Sequence, residues 1–193
     1  IAIRRPMKTP ESGTEVFATA QRDTTAPIFE GGFPVDAAII ADVSGAWTNS
    51  PSMGSRLTGT GRLATSNTNA EGSDGLFMWD YMNGWGDGSG SYPEYYSWMF
   101  KRAPGFMDVV AYTGDGTTGR QIPHNLGSTP ACMFLKRRDS SGDWKVFHHS
   151  LSNSGLDGRL RLDNDGAEVA LTDNFFVSDT YFGSDYYNSS GQT

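Results

Sequence analysis

Residues 112–149 contain the pattern that decides the fold, and they read Y-T-G-D-G-T-T-G-R-Q-I-P-H-N-L-G-S-T-P-A-C-M-F-L-K-R-R-D-S-S-G-D-W-K-V-F-H-H. Apolar runs at residues 109–112, 131–135 and 144–148 are separated by segments rich in Gly, Pro, Asn, Asp and Ser. Short apolar runs bounded by such turn-forming residues are typical of β-strands. The stretch therefore predicts three strands joined by Gly-rich turns, as in a β-meander.

The composition of the whole chain also favours β-structure. The 193 residues include 24 glycines and 9 prolines, which require many turns and argue against a helical bundle. Apolar residues make up 37% of the chain, enough for a packed core if each strand buries alternate side chains. We therefore expect an all-β protein made of β-sandwich-like modules of the jelly-roll or lectin-like type.

The sequence repeats itself at a spacing of 97 residues. Pairs at this spacing are Trp47 and Trp144, Gly61 and Gly158, Asn67 and Asn164, and Glu71 and Glu168. Pro34 and Pro130 are 96 residues apart, and each lies directly before an apolar run. Several matches at almost one spacing are typical of tandem repeats. The chain is therefore predicted to contain two copies of one β module, with Trp47 and Trp144 in equivalent places.

The repeat also predicts where the modules begin and end. Residues 14–104 form the first copy, residues 105–193 the second, and residues 1–13 the end of a preceding repeat. Aligning the copies pairs Thr193 with Tyr96, so the second copy is predicted to lack its last strand. The chain would then be an internal part of a longer protein, with neighbouring strands covering the open sheet edges.

Charge, hydropathy and cysteine content exclude several classes of function. The formal net charge of −7 argues against a nucleic-acid-binding surface, which needs clustered Lys and Arg. No apolar run is long enough for a transmembrane helix, so we expect no membrane insertion. The single cysteine, Cys132, cannot form an intramolecular disulfide, and its apolar surroundings predict a buried, inert thiol.

One glycine cluster matches a nucleotide-binding motif in its letters. Gly114, Gly116 and Gly119 follow the G-x-G-x-x-G spacing after a predicted strand. The dinucleotide mechanism needs a helix directly after the glycines, and Pro123 and Gly127 leave no room for one. We therefore expect a Gly-rich loop there and no cofactor.

Other polar clusters do not form a complete catalytic or metal site. His148 and His149 are neighbours on a predicted strand, so their side chains should point to opposite faces. With three histidines and one cysteine, the chain is poor in zinc ligands. The cluster at residues 163–166, D-N-D-G, predicts a hairpin turn, with calcium binding as the alternative. No catalytic residue and no metal site are predicted, and the chain is not expected to be an enzyme.

The aromatic residues between Trp79 and Trp98 are the remaining candidate site. Aromatic residues at alternate strand positions are expected to lie in the core. Trp85 and Tyr92 lie among Gly, Asp and Ser, which predicts exposed loop positions. There they would pack against a partner chain or stack on a sugar ring.

Two long segments have a distinctive sequence: residues 96–114 read Y-S-W-M-F-K-R-A-P-G-F-M-D-V-V-A-Y-T-G, and residues 122–130 read I-P-H-N-L-G-S-T-P. Both resemble recurring segments of uncharacterised virion proteins of tailed phages, many of them marine phages. These phage proteins are tail-fibre-like structural proteins, and the resemblance extends over nearly the whole chain. It implies a structural or adhesion protein and carries over no catalytic residue.

The resemblance and the repeat together give a functional expectation. The chain is expected to be a structural or adhesion component of a virion tail fibre or tail appendage, extracellular after release. Its expected partners are further copies of itself in a trimer, other virion proteins and host-surface polysaccharide. The alternatives are a free-standing carbohydrate-binding module and a glycan-cleaving tail enzyme.

Overall fold

The computed structural model describes residues 7–44, 50–73, 75–88, 94–151, 158–170 and 175–184. These residues form one short 3-10 helix, Gly13–Glu15, and strands that pair antiparallel throughout, so the chain is all-β as predicted. The strands are β1 (Phe17–Gln21), β2 (Phe29–Glu30), β3 (Ala37–Asp42), β4 (Ser52–Ser55), β5 (Leu63–Ala64), β6 (Phe77–Met78), β7 (Gly84–Asp87), β8 (Tyr95–Phe100), β9 (Ile122–Pro123), β10 (Cys132–Leu135), β11 (Lys145–His148), β12 (Gly158–Arg161), β13 (Val169–Ala170), β14 (Phe175–Val177) and β15 (Tyr181–Ser184).

Two sheets with a core between them make up the first half of the chain. The first large sheet has the strand order β1-β8-β3-β4-β5, and the first small sheet has the order β2-β7-β6. Phe29, Phe77 and Trp85 of the small sheet pack in one core with Ala38 and Ile40 of β3 and Met99 of β8. A Cβ atom at Gly54 of β4 would collide with the Phe77 ring, so this glycine lets the two sheets approach closely. The arrangement is sandwich-like.

The second half also contains two sheets, with fewer strands. The second large sheet has the order β10-β11-β12-β13, and the second small sheet has the order β14-β15-β9. Its core contains Ile122, Leu135, Phe147, Phe175 and Phe182, and the rings of Phe147 and Phe175 lie 5.1 Å apart between centroids. The hairpin predicted around residues 163–166 is confirmed, since β12 and β13 pair antiparallel on either side of it.

Side chains and backbone join the two halves at the loop between β10 and β11. The Nε1–H of Trp144 donates to the carbonyl oxygen of Ala64 at 2.8 Å, and the backbone N–H of Glu71 donates to Arg138 O at 2.9 Å. The Arg138 guanidinium also holds the Glu71 carboxylate through two hydrogen bonds, of 3.2 and 2.7 Å. Because Trp144 is only 2% exposed, its indole connects the two halves through a buried hydrogen bond.

Trp144→Phe is expected to lower the free energy of unfolding by about 1 kcal/mol, the usual net value of one hydrogen bond. Phenylalanine keeps most of the apolar packing and removes the N–H that reaches Ala64. Urea denaturation monitored by circular dichroism measures the change. Equal stability of the variant and the wild type would show that this hydrogen bond does not stabilise the contact between the two halves.

Two of the three strands predicted in residues 112–149 are confirmed, as β10 and β11. The strand predicted at residues 109–112 is wrong, because that segment has no ladder partner among the described residues. Its side chains still alternate, since Val110 and Tyr112 pack on the second core. The segment therefore packs on the second core without pairing with any strand in the described part of the chain.

Candidate functional site: the apolar outer faces of the two large sheets

β8 presents aromatic side chains to solvent. Its burial alternates, with Tyr95, Ser97 and Met99 facing the core. The other face carries Tyr96, which is 38% exposed, and Trp98, which is 36% exposed. The expectation that aromatic residues at alternate positions of this strand are core is therefore wrong for these two residues. Both faces of β8 are apolar, so the period of two could not tell which face is buried.

Apolar neighbours extend this aromatic patch across four of the five strands of the first large sheet. Trp98 lies opposite Ile39 of β3, Ile39 lies opposite Met53 of β4, and Met53 lies opposite Leu63 of β5. Residues directly opposite in an antiparallel ladder share one face of the sheet, so these four side chains form a continuous row. At one end of the sheet, the rings of Phe17 and Phe100 lie 5.3 Å apart.

The second large sheet carries a similar row. Phe134 of β10, 50% exposed, lies opposite Val146 of β11, which lies opposite Leu160 of β12. An antiparallel sheet with one solvated face usually alternates apolar and polar residues, with the polar ones outward. We name the two rows the outer apolar faces: Trp98, Ile39, Met53 and Leu63 on the first sheet, and Phe134, Val146 and Leu160 on the second. Exposed apolar surface of this kind is typical of contact sites, which makes these two faces the candidate site.

A charged cluster on the second large sheet has a structural role. Lys145 is 6% exposed, and its ammonium lies 3.2 Å from Asp143 Oδ2, which also pairs with Arg161 at 3.1 Å. Burial lowers the pKa of Lys145 below its usual value, while the hydrogen bond to Asp143 opposes that shift. The backbone N–H of Trp144 donates to Asp163 Oδ1 at 2.8 Å. These groups position Trp144 and the start of β11.

The two aromatic residues predicted as an exposed site have different outcomes. Trp85 lies in β7 instead of a loop and is fully buried, so its predicted exposure is wrong. Its ring stacks on Phe29 at 4.5 Å, and its Nε1–H donates to Ser97 Oγ at 2.9 Å. In this position it can contact neither a sugar nor a partner chain. Tyr92 lies outside the described residues, so its role stays a prediction.

Cys132 is exposed, which contradicts the predicted buried thiol. The side chains of β10 alternate, and Leu135 takes the inward position while Cys132 lies on the outer face with Phe134. Partial desolvation raises the pKa of the Cys132 thiol above its usual value. A raised pKa makes the thiolate scarce at neutral pH, so the position gives no support to a nucleophilic role.

The remaining sequence motifs have structural partners. Asp115, inside the Gly-rich loop, accepts a hydrogen bond from Thr117 N at 2.9 Å. The rings of His148 and His149 lie 4.7 Å apart, so the predicted opposite orientation is wrong; β11 ends at His148 and the strand alternation ends with it. Among the residues that the structure describes, no three His, Cys, Asp or Glu side chains lie close enough to hold a metal ion.

The fold and the outer apolar faces define an all-β protein built from paired antiparallel sheets. The chain belongs to the family described as a domain of unknown function (DUF7483), which matches residues 48–192. No curated protein and no solved structure matches the chain. Within the described part of the chain, no helix is long and apolar enough to cross a membrane.

Proposed function

We propose that this chain is a structural and adhesion component of a phage virion, in a tail fibre or tail appendage, and that it works as a homo-oligomer. The outer apolar faces are the observation that supports this proposal most strongly. Each of them is an exposed surface of a large sheet that a neighbouring molecule can cover. The resemblance to tail-fibre-like proteins supports three chains around one axis, with other virion proteins at the ends of the assembly.

Removing one aromatic side chain from each outer apolar face tests this proposal. We expect Trp98→Ser combined with Phe134→Ser to weaken self-association at least about tenfold, because burying one such side chain contributes about 1.5–3 kcal/mol. Sedimentation equilibrium measures the association constant. Met82→Ser is the matched control, because Met82 is 77% exposed and lies outside both faces. Unchanged association of the double variant, or an equal effect of the control, would contradict the proposal.

We propose further that the assembly unit is a tandem repeat, with residues 14–104 as the first module and residues 105–193 as the second. The pairing of the large sheets supports it. Arg62 bridges Gly72 beyond β5, and Arg159 pairs with Val169 in β12 and β13, with both partners shifted by 97 residues. In the same way, β3, β4 and β5 occupy the ladder positions of β10, β11 and β12.

The small sheets support the same repeat. Trp85 of β7 pairs with Phe29 of β2, and Phe182 of β15 pairs with Ile122 of β9; all four side chains are buried. The hydrogen bond from Gly31 N to Asn83 O also has a counterpart, from His124 N to Thr180 O. Trp85 and Phe182 are 97 residues apart, the spacing found in the sequence.

The position of Trp144 departs from the simple spacing. Leu162 N donates to Trp144 O, and Thr65 N donates to Pro51 O. Because Thr65 and Leu162 are 97 residues apart, this ladder makes Pro51 the counterpart of Trp144. Trp47 lies outside the described residues, so its predicted equivalence to Trp144 is not tested. Between this strand and the next, the second module is therefore four residues longer than the first.

Glycan binding by the same face is the second candidate function. Tyr96 and Trp98 are exposed on one face of β8, and aromatic rings of this kind stack on sugar rings. A glycan array tests it, with Trp98→Ser expected to lose binding and Met82→Ser to keep it. Binding by a monomeric chain would favour a free-standing carbohydrate-binding module. Release of sugar from host polysaccharide would favour the remaining alternative, a glycan-cleaving tail enzyme.

A further inference from the structure

The two large sheets differ at one edge. In the first, β3 pairs with β4 on one side and with β8 on the other. In the second, β10 pairs with β11 on one side, and no strand within the described ranges pairs with its other side. This comparison rests on the proposed repeat, in which β10 is the counterpart of β3.

The backbone of β10 has hydrogen-bonding groups directed at the open edge. His149 N donates to the carbonyl oxygen of Ala131 at 2.9 Å, so the backbone groups of Ala131 point toward β11. Successive residues of a strand direct their N–H and C=O groups to alternate sides. The backbone N–H and C=O groups of Met133 and Leu135 therefore also point toward β11, whereas those of Cys132 and Phe134 point toward the open edge. The counterpart of Phe134 in β3 is Ile39, which lies opposite Trp98 of β8.

The second core is also less well covered beside this edge. Met133 packs on the second core but is only partly buried. Its counterpart in β3 is Ala38, which is fully buried opposite Met99 of β8. Tyr95 and Met99 of β8 both belong to the first core. A strand placed beside β10 would supply the corresponding side chains and cover Met133.

We propose that the open edge of β10 receives an antiparallel strand from a second polypeptide, in the register that β8 takes on β3. Such strand addition uses backbone hydrogen bonds for affinity and alternate side chains for specificity. The incoming strand carries apolar side chains at the positions of Tyr95, Ser97 and Met99. The middle one is apolar because Ser97 accepts a hydrogen bond from Trp85, whereas Phe182, the counterpart of Trp85, has no donor.

A labelled synthetic peptide with the sequence of residues 94–102 is the probe, and fluorescence anisotropy with the full chain measures its binding. We expect the same peptide with Ser97→Val to bind about tenfold more tightly, because a buried hydroxyl without a partner is unfavourable. N-methylation of the peptide at Trp98, whose amide faces β10 in this register, should abolish binding. N-methylation at Met99, whose amide faces away, is the matched control and should be tolerated.

A protein variant tests the same contact from the other side. Phe134→Pro removes the N–H that points to the open edge and leaves the ladder to β11, whereas Phe134→Leu keeps it. We expect the proline variant to lose at least about tenfold in peptide affinity and the leucine variant less than threefold. Circular dichroism confirms that both variants fold. If the proline variant does not fold, the N-methylated peptides decide the question on the wild-type chain.

Three results would overturn the proposal. They are no binding of the 94–102 peptide or of its Ser97→Val form, equal effects of the two N-methyl groups, and slow hydrogen exchange at Cys132 and Phe134 in the free protein. The last would mean that the chain covers this edge itself. The test is separate from that of assembly through the outer faces. Trp98→Ser in the protein should weaken self-association and leave peptide binding unchanged, and a monomeric chain would still bind the peptide.

Discussion

Trp85→Ala is expected to lower the free energy of unfolding by about 3–5 kcal/mol, the range found for large aromatic residues removed from a core. Trp85 is fully buried, stacks on Phe29 and also contacts the rings of Phe77 and Trp79, at 4.8 and 5.9 Å. The substitution also leaves the buried Ser97 hydroxyl without its donor. Guanidinium denaturation monitored by near-ultraviolet circular dichroism measures the loss.

Met82→Ala is the control for this prediction, because Met82 is 77% exposed and lies between β6 and β7. We expect it to change stability by less than about 0.5 kcal/mol, as surface substitutions usually do. A Trp85→Ala protein as stable as the control would contradict the core position of Trp85. It would return Trp85 to the exposed loop that the sequence predicted.

Gly84→Ala is expected to destabilise the first half by about 1–3 kcal/mol or more, the usual range for overpacking a tightly packed site. A Cβ atom at Gly84 would collide with the backbone carbonyl oxygen of Phe29. A carbonyl within a ladder cannot move aside as a flexible side chain can, so β2 and β7 would have to separate. Thermal unfolding followed by circular dichroism detects the change.

Gly13→Ala serves as the comparison, since a Cβ atom at Gly13 meets nothing within 4 Å. It should leave the unfolding temperature within a few degrees of the wild type, because surface substitutions rarely change stability by more than about 0.5 kcal/mol. If both glycine variants have the unfolding temperature of the wild type, β2 and β7 are not packed as closely as described here.

Turn chemistry made part of this fold predictable. Breakers around residues 131–135 and 144–148 marked β10 and β11, and the D-N-D-G cluster marked the hairpin between β12 and β13. Such signals are local, since Gly, Pro, Asn and Asp act through their own backbone preferences. The pairing of strands from distant parts of the chain is not local. Residues 109–112 have a strand-like pattern, and only the rest of the fold decides whether a partner lies beside them.

Trp85 shows why the candidate site was harder to predict. Its flanking glycines, Gly84 and Gly86, resemble loop residues in the sequence. In the structure each is required because another group occupies the space of its missing side chain: Phe29 O at Gly84 and the Tyr81 ring at Gly86. A glycine that marks a turn and a glycine that permits close packing have the same letter. The outer row of Trp98, Ile39, Met53 and Leu63 was equally hidden, because it joins four strands.

The outer faces and the open edge suggest two different contacts in one assembly. A face buries side chains against a neighbour, whereas an edge extends a sheet through backbone hydrogen bonds. Trp98→Ser therefore removes a contact of the face alone. Phe134→Pro removes the edge contact but also an outer-face side chain, so its effect is measured against Phe134→Leu, which changes the side chain and keeps the N–H. A filament needs contacts of more than one kind to connect chains both around and along its axis.

Sedimentation velocity of the wild-type chain over a concentration series up to tens of micromolar tests the central claim most directly. The proposal predicts a species of three times the monomer mass of 20.9 kDa, whose population falls on dilution and in the variant that lacks Trp98 and Phe134. A single species of 20.9 kDa at every concentration, with a normal unfolding transition, would contradict it.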